Sequence, residues 1–288
     1  DSKTPFLFLV LSAVLNIFLD LFCIINLKMG VAGAAFATIL SQAISGFLCL
    51  IYMVRKFPVL RIRKNEREFN AGRCRIMLGM GVPMGLQFSI TAIGSIMLQS
   101  AVNLLGTMYV ASYDTALKIK MVFISVSDSL GNTMAVFCGQ NLGAGRRDRI
   151  QAGIRNAFQI GAVFSVIALL LLWPLTDKLS LLFMDASHTE VIANIVLFMR
   201  CESCFYFILM MLNILRNTIQ GMGYSRIAMI SGVIEMVART LASLFLIPKI
   251  GYLMVCFTDQ LAWTSATVFL IFLYKSVMKG FRPSATPE

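Results

Sequence analysis

DSKTPFLFLVLSAVLNIFLDLFCIINLKMGVAGAAFATILSQAISGFLCLIYMVRK, residues 1–56, holds two apolar runs, 6–27 and 31–54, parted only by Lys28, Met29 and Gly30. Each run supplies the roughly 20 residues an α-helix needs to cross a hydrocarbon core. So short a connector turns the second helix back antiparallel beside the first. Inside this hairpin sit Asn16, Asp20 and Thr38. Asn16 and Asp20 are four residues apart and share one helix face. Asp20 lies eight residues before Lys28 and Thr38 eight after Gly30. Both therefore stand roughly 12 Å from the turn, at 1.5 Å per residue. Three polar groups converge at one depth, which makes them the leading candidate for a functional site.

Composition carries the same reading to the rest of the chain. Of 288 residues, 58% are apolar and only 14% charged, with a mean hydropathy of +0.80. A soluble domain has about a quarter of its residues charged. Eight apolar runs of spanning length define an all-α polytopic membrane protein with eight transmembrane helices. Seven Cys, an odd number scattered among apolar runs, describe no disulfide framework. Cys201 and Cys204 form a lone CxxC without the second pair of a zinc site or the βαβ setting of a redox motif.

The net charge of +11 is distributed as membrane topology rather than as a nucleic-acid surface. With the run 6–27 taken as leading outward, 18 of the 25 Lys and Arg fall on inner segments, among them Arg55, Lys56, Arg61, Arg63, Arg146, Arg147, Arg216 and Arg226. Only Lys28, Lys178 and Lys249 fall outside, and Lys118, Lys120, Arg200 and Arg239 lie within spans. The excess of positive loops places them, and the C-terminus, in the cytoplasm. No nucleic-acid partner is expected.

Residues 57–75, basic and polar, read as a loop between two halves. Further spans are expected from about residue 75 to 105, then at 109–140, 157–175, 191–219, 227–247 and 251–274. An outer loop at 176–190 holds the only His, His188, and a polar tail closes the chain. The run GQNLGAG at 139–145 lacks the Gly-Lys-Ser/Thr ending and preceding strand of a phosphate loop, and reads as a helix end and turn.

An internal repeat is legible at low identity. Ser2-Lys3 aligns with Ser225-Arg226 at an offset of 223, which pairs Asn16 with Arg239 and Ser12 with Glu235; two residues shorter, Gly30 pairs with Gly251. Repeats of this kind build two lobes around a midplane site in many transporters. With six spans in the second half, six are expected in the first, four of them upstream of residue 1.

The opening DSKTP, the run from Asn16 to Asp20, GVAGAAFAT at 30–38 and GQNLGAG at 139–145 together resemble the multidrug and toxic compound extrusion (MATE) family, over nearly the whole chain. The resemblance implies part of a twelve-helix, two-lobe antiporter that exports cationic or amphipathic small molecules in exchange for H⁺ or Na⁺. Residues 1–56 would be the last two helices of the N-lobe, 57–75 the cytoplasmic inter-lobe loop, 76–279 the six-helix C-lobe and 280–288 the tail. Some members hold a coupling cation between an Asp on helix one, an Asn and Asp four apart on helix five and a Thr on helix six. Asn16, Asp20 and Thr38 match the last three. A second site in other members, a Glu on helix seven and an Asp on helix ten, falls here on Thr91 and Leu209, so it is expected to be absent. The resemblance further implies no cofactor beyond the coupling ion, no metal other than Na⁺ at Asp20, a cytoplasmic membrane location and a monomer.

Intramembrane charges cost about 2.5–3.5 kcal/mol on insertion scales, so each needs an account. Glu235 and Arg239, and likewise Asp114 and Lys118, are four residues apart with acid before base, which favours ion pairing on one helix; both pairs are expected to be structural. Lys120, Asp128, Glu202 and Asp259 have no evident partner and are candidate cavity-lining residues. A lipid-linked oligosaccharide flippase, the nearest alternative, calls for a more cationic cavity. An intramembrane enzyme calls for acidic clusters or Ser/His pairs that the sequence lacks, so the chain is read as no enzyme.

Overall fold

The computed structural model describes residues 3–61 and 70–280. The chain divides into two compact units, Asp1–Asn70 and Ala71–Glu288. Among the described residues there is no strand. Parts of the expected inter-lobe loop and tail, 62–69 and 281–288, lie outside the described residues.

In the first unit, α1 (Lys3–Leu21) runs into a π-helical turn (Phe22–Asn26), and α2 (Gly30–Lys56) returns antiparallel. The reversal is sharp enough to need positive φ at Lys28 (53°) and Gly30 (56°), a conformation glycine adopts at no steric cost. The two helices meet along a seam of small residues, Gly33, Ala37, Ser41 and Ser45, one per turn and all buried. Small side chains at that spacing let helix backbones approach closely in a membrane. Ser45 Oγ there donates to the Phe8 carbonyl at 2.5 Å. Elsewhere the hairpin exposes Phe6, Leu7, Leu9, Ile17, Phe18, Ile39 and Phe47, a surface suited to acyl chains and not to water.

The second unit contains α3 (Ala71–Leu105), α4 (Thr107–Gly143), α5 (Arg147–Ser180), α6 (Thr189–Ser203), α7 (Tyr206–Gly221), α8 (Ser225–Leu241), the four-residue α9 (Ile247–Ile250) and α10 (Tyr252–Gly280). α3 begins inside the expected 57–75 loop. α5 runs well past both ends of the expected 157–175 span and leaves a short connection after Ser180. The polar residues that suggested a loop are absorbed because Thr176 and Ser180 hydroxyls donate to carbonyls one turn back, those of Leu172 and Thr176. In the connection that remains, the Ser187 amide donates to Asp185 Oδ1 at 2.9 Å and holds that carboxyl below its usual range. The run 139–145 ends α4 in a turn with Gly145 at φ 69°.

The expected single span 191–219 is two helices, α6 and α7, bent by 52° at Cys204 and Phe205. The Ser203 hydroxyl donates to the Arg200 carbonyl at 2.8 Å, a side-chain bond that competes with the helix ladder at the break. Counting this pair as one crossing, eight segments among the described residues are long and apolar enough to span a bilayer. Between α8 and α9 lies a second π-helical turn, Ala242–Leu246, and Gly251 follows at φ 80°. Helix, π turn, positive-φ glycine and returning helix thus occur in the same order in both members of the repeat. The core of the second unit packs Phe198, Tyr206, Leu212, Ile214 and Trp263. α4 crosses α7 so closely that a Cβ on Gly221 would collide with the Ala135 carbonyl oxygen.

Candidate functional site

Each unit holds a polar cluster inside its apolar helices. In the hairpin, Asn16 Nδ2 donates to Thr38 Oγ1 at 3.3 Å, and the Thr38 hydroxyl donates to the Ala34 carbonyl at 2.9 Å. α1 and α2 thus bring two of the three sequence-selected residues into contact across 22 positions of chain. Asp20 stands one turn from Asn16, half-buried, and its Oδ1 is shielded from solvent with no hydrogen-bond partner among the described residues. A carboxylate oxygen in that state is an open acceptor, the kind of group that a proton or a small cation completes.

In the second unit, six charged side chains from five helices form one continuous chain of contacts. Glu202 Oε1 on α6 accepts from Lys120 Nζ on α4 at 2.8 Å, and Lys120 also donates to Asp259 Oδ2 on α10 at 2.5 Å. The other oxygen of Asp259 accepts from Arg239 Nε on α8 at 2.7 Å. Arg239 reaches Glu235 Oε2 one turn back at 3.5 Å, and Glu235 Oε1 pairs with Arg216 on α7. Arg216 Nε ends the chain on Ser231 Oγ at 3.1 Å. All six charges are buried, and alternation of sign is what makes such burial tolerable. Asp128, on α4 two turns beyond Lys120, is exposed and accepts from Asn213 Nδ2 at 3.1 Å.

These groups face a cavity of about 290 Å³. Lys120, Asp128 and Asp259 line it, as do Arg216, Glu235 and Arg239. Glu202 does not: it lies fully buried behind Lys120. The four residues expected to lack partners all have them, supplied by other helices. The Asp114–Lys118 expectation needs correcting. No ion pair joins them among the described residues; Asp114 Oδ1 instead accepts from Gln99 at 3.3 Å and Lys118 lies 5.7 Å from the Phe183 ring centroid. Both side chains are exposed, where a same-helix pair contributes only a few tenths of a kcal/mol and yields to other contacts. Glu235 and Arg239 do touch, but as middle members of the longer chain and not as an isolated pair. Sequence reasoning missed Arg216 by counting it with the inner loops, although it falls inside an apolar run. It also missed Asn213, Phe198 and Trp263, whose roles depend on which helices face each other.

The fold, with a half-buried polar cluster in the first unit and a buried charged network in the second, defines a multi-pass helical membrane protein. The family model described as MatE matches residues 83–245, more than half of the chain, and the chain belongs to that family. It is 26% identical to the probable multidrug resistance protein YoeA of Bacillus subtilis (strain 168) over 72% of this chain and 46% of YoeA. It is 31% identical to the probable multidrug resistance protein YpnP of the same organism over 52% of this chain and 33% of YpnP. An FAD transporter of Shewanella oneidensis is 23% identical over 70% of this chain and 46% of its own length. The chain therefore spans half or less of these relatives. Among solved structures, an outward-facing multidrug resistance MATE family transporter of the MOP superfamily superposes with a TM-score of 0.85 at 19% identity. That match covers 96% of this chain and 63% of the transporter, and supports the all-helical fold.

Proposed function

We propose that the complete protein is a secondary active antiporter of the cytoplasmic membrane that exports cationic or amphipathic small molecules in exchange for H⁺ or Na⁺. Its C-terminus lies in the cytoplasm, and it works as a monomer with no cofactor beyond the coupling ion. The observation that carries this reading is the open Oδ1 of Asp20 beside the Asn16–Thr38 contact. Family membership and relatives named as multidrug resistance proteins support it. A ligand drives a conformational equilibrium only by its differential affinity for the two states. A charged Asp20 favours the state that holds a cationic substrate; loading it with H⁺ or Na⁺ from outside removes the charge, alters helix packing and releases the substrate.

The test uses the full-length protein in proteoliposomes, with ethidium export driven by an imposed pH or Na⁺ gradient. Asp20→Asn should abolish gradient-driven export while leaving yield and elution profile near wild type. Asn16→Ala and Thr38→Ala should weaken export less, because they remove supporting contacts and keep the charge. Export by Asp20→Asn at the wild-type rate, with unchanged pH and Na⁺ dependence, would overturn the assignment.

A further inference from the structure

On the exposed side of the second unit, a groove runs between α5 and the broken pair α6 and α7. Its volume is about 230 Å³, and Val166, Leu169, Cys204 and Phe207 are among the residues that line it. Val166, Cys204 and Phe207 are exposed, on a surface that suits acyl chains. The two serines that reach the groove, Ser165 and Ser203, spend their hydroxyls on the carbonyls of Gly161 and Arg200. No hydroxyl is left there for a polar ligand.

Polar chemistry is concentrated at one end of the groove instead. Beyond Leu169, α5 carries Trp173 and Asp177 on successive turns, and one turn before Cys204, α6 carries Arg200. Arg200 Nη2 donates to the Trp173 carbonyl at 3.3 Å, and the guanidinium carbon lies 5.6 Å from the Trp173 ring centroid. The same Nη2 stands 3.7 Å from Asp177 Oδ2. That gap attracts but is too long for a hydrogen bond. The Arg200 and Asp177 side chains are 40% and 60% exposed, so both charges keep hydrogen-bonding capacity open to a ligand.

The order of these groups along α5 matches the layers of a bilayer. Its apolar part, 157–175, is 19 residues long. At 1.5 Å per residue that is about 28 Å, against a hydrocarbon core of about 30 Å. Trp173 therefore falls at one boundary of the core, where tryptophan is enriched. Asp177 stands just beyond it at headgroup level, and Val166 and Leu169 lie below it among the chains. A glycerophospholipid seated along the groove has the same sequence of charged head, boundary and chain. The head that complements this pair bears both signs. Its phosphate oxygens accept from Arg200, and a primary ammonium donates to Asp177. A purely anionic head meets Asp177 as a like charge, and a trimethylammonium head has no N–H to donate.

We propose that this groove binds a glycerophospholipid whose head carries a primary ammonium, with the phosphate on Arg200, the ammonium on Asp177 and one acyl chain between α5 and the α6–α7 break. The inference goes beyond the antiport reading and does not depend on whether Asp20 couples transport.

The experiment uses the full-length protein with every tryptophan except Trp173 replaced by Phe, in phosphatidylcholine nanodiscs. Increasing fractions of phosphatidylethanolamine, phosphatidylcholine or phosphatidylglycerol with brominated chains are added, and quenching of Trp173 is read. Half-quenching should need about threefold less phosphatidylethanolamine than either other lipid, the scale of an exposed charge pairing. Asp177→Asn leaves Arg200 as the charge at the head and should reverse the order in favour of phosphatidylglycerol. Arg200→Gln should bring phosphatidylethanolamine to the level of phosphatidylcholine. Lipid that co-purifies with the unmodified full-length protein gives a second reading. Its ethanolamine-to-glycerol head ratio should exceed that of the source membrane, and should fall to the membrane value in Asp177→Asn. Equal half-quenching fractions for the three lipids would overturn the inference, as would an ethanolamine preference that survives Asp177→Asn. If the Trp→Phe background does not fold, co-purified lipid at the membrane ratio overturns it instead. The Asp20 export assay does not read headgroup preference, so either result can fail without the other.

Discussion

Asp259 receives Lys120 on one oxygen and Arg239 on the other, while Glu235 divides its oxygens between Arg239 and Arg216. Spacing in the sequence revealed only one contact of this set, Glu235 with Arg239. The same spacing pointed equally to Asp114 with Lys118, which does not pair. The difference is burial: Glu235 and Arg239 are 2% and 6% exposed, so each must be compensated, whereas the other two are exposed and free to part. Burial of a charge is decided by neighbouring helices, which a single sequence does not display, and so the partners Arg216 and Asp259 stayed hidden. In the hairpin, where the connector fixes which helices meet, the Asn16–Thr38 contact was readable in advance. Replacing Glu235 and Arg239 together, by Gln and Met, deletes the contact that spacing reveals and also strands Arg216 and leaves Asp259 with Lys120 alone. Thermal unfolding of the purified protein should show a loss of about 3–5 kcal/mol, the cost of an uncompensated buried charge. An unchanged melting temperature would show that water replaces the lost partners.

Helix lengths and turns were the most legible features, because apolar runs must be long enough to cross and glycines punctuate them. The departures come from local backbone bonding. Thr176 and Ser180 satisfy their hydroxyls within α5 and extend it, and Ser203 does so where span six breaks. Neither event changes the hydropathy profile. Close approach between helices is similarly silent in the sequence but testable. At Gly221 an added methyl group meets backbone that cannot swing aside, whereas at Gly143, on the neighbouring helix, nothing lies within 4 Å of the added atom. Gly221→Ala should therefore force α4 and α7 apart and lower stability by about 1–3 kcal/mol, as overpacking does. Gly143→Ala should be neutral or slightly stabilising through helix propensity. Parallel melts of the two variants check both signs.

For the whole molecule, composition sufficed to establish a multi-pass helical protein, and the order of elements revealed the repeat that the two π turns share. Orientation rests on the distribution of Lys and Arg and can be measured directly. In a Cys-free full-length protein, single cysteines at Lys28, Thr107 and His188 should react with an impermeant thiol reagent applied outside intact cells, and one at Arg147 should react only after lysis. The reverse pattern would invert the topology and move Asp20 to the inner half. The two π turns have a further consequence that concerns helical phase. A π turn carries one residue more than an α turn holds, and each residue of an α-helix advances about 100° around the axis. The chain therefore leaves Phe22–Asn26 rotated relative to an uninterrupted helix, and Ala242–Leu246 rotates its own strand of the repeat in the same way. One residue fewer in either turn would leave the segment as apolar and as insertable as before. It would nonetheless turn Asn16 and Asp20 away from Thr38, or Glu235 and Arg239 away from Arg216 and Asp259. Apolar length brings these helices into the bilayer, and angular phase decides which polar groups meet there.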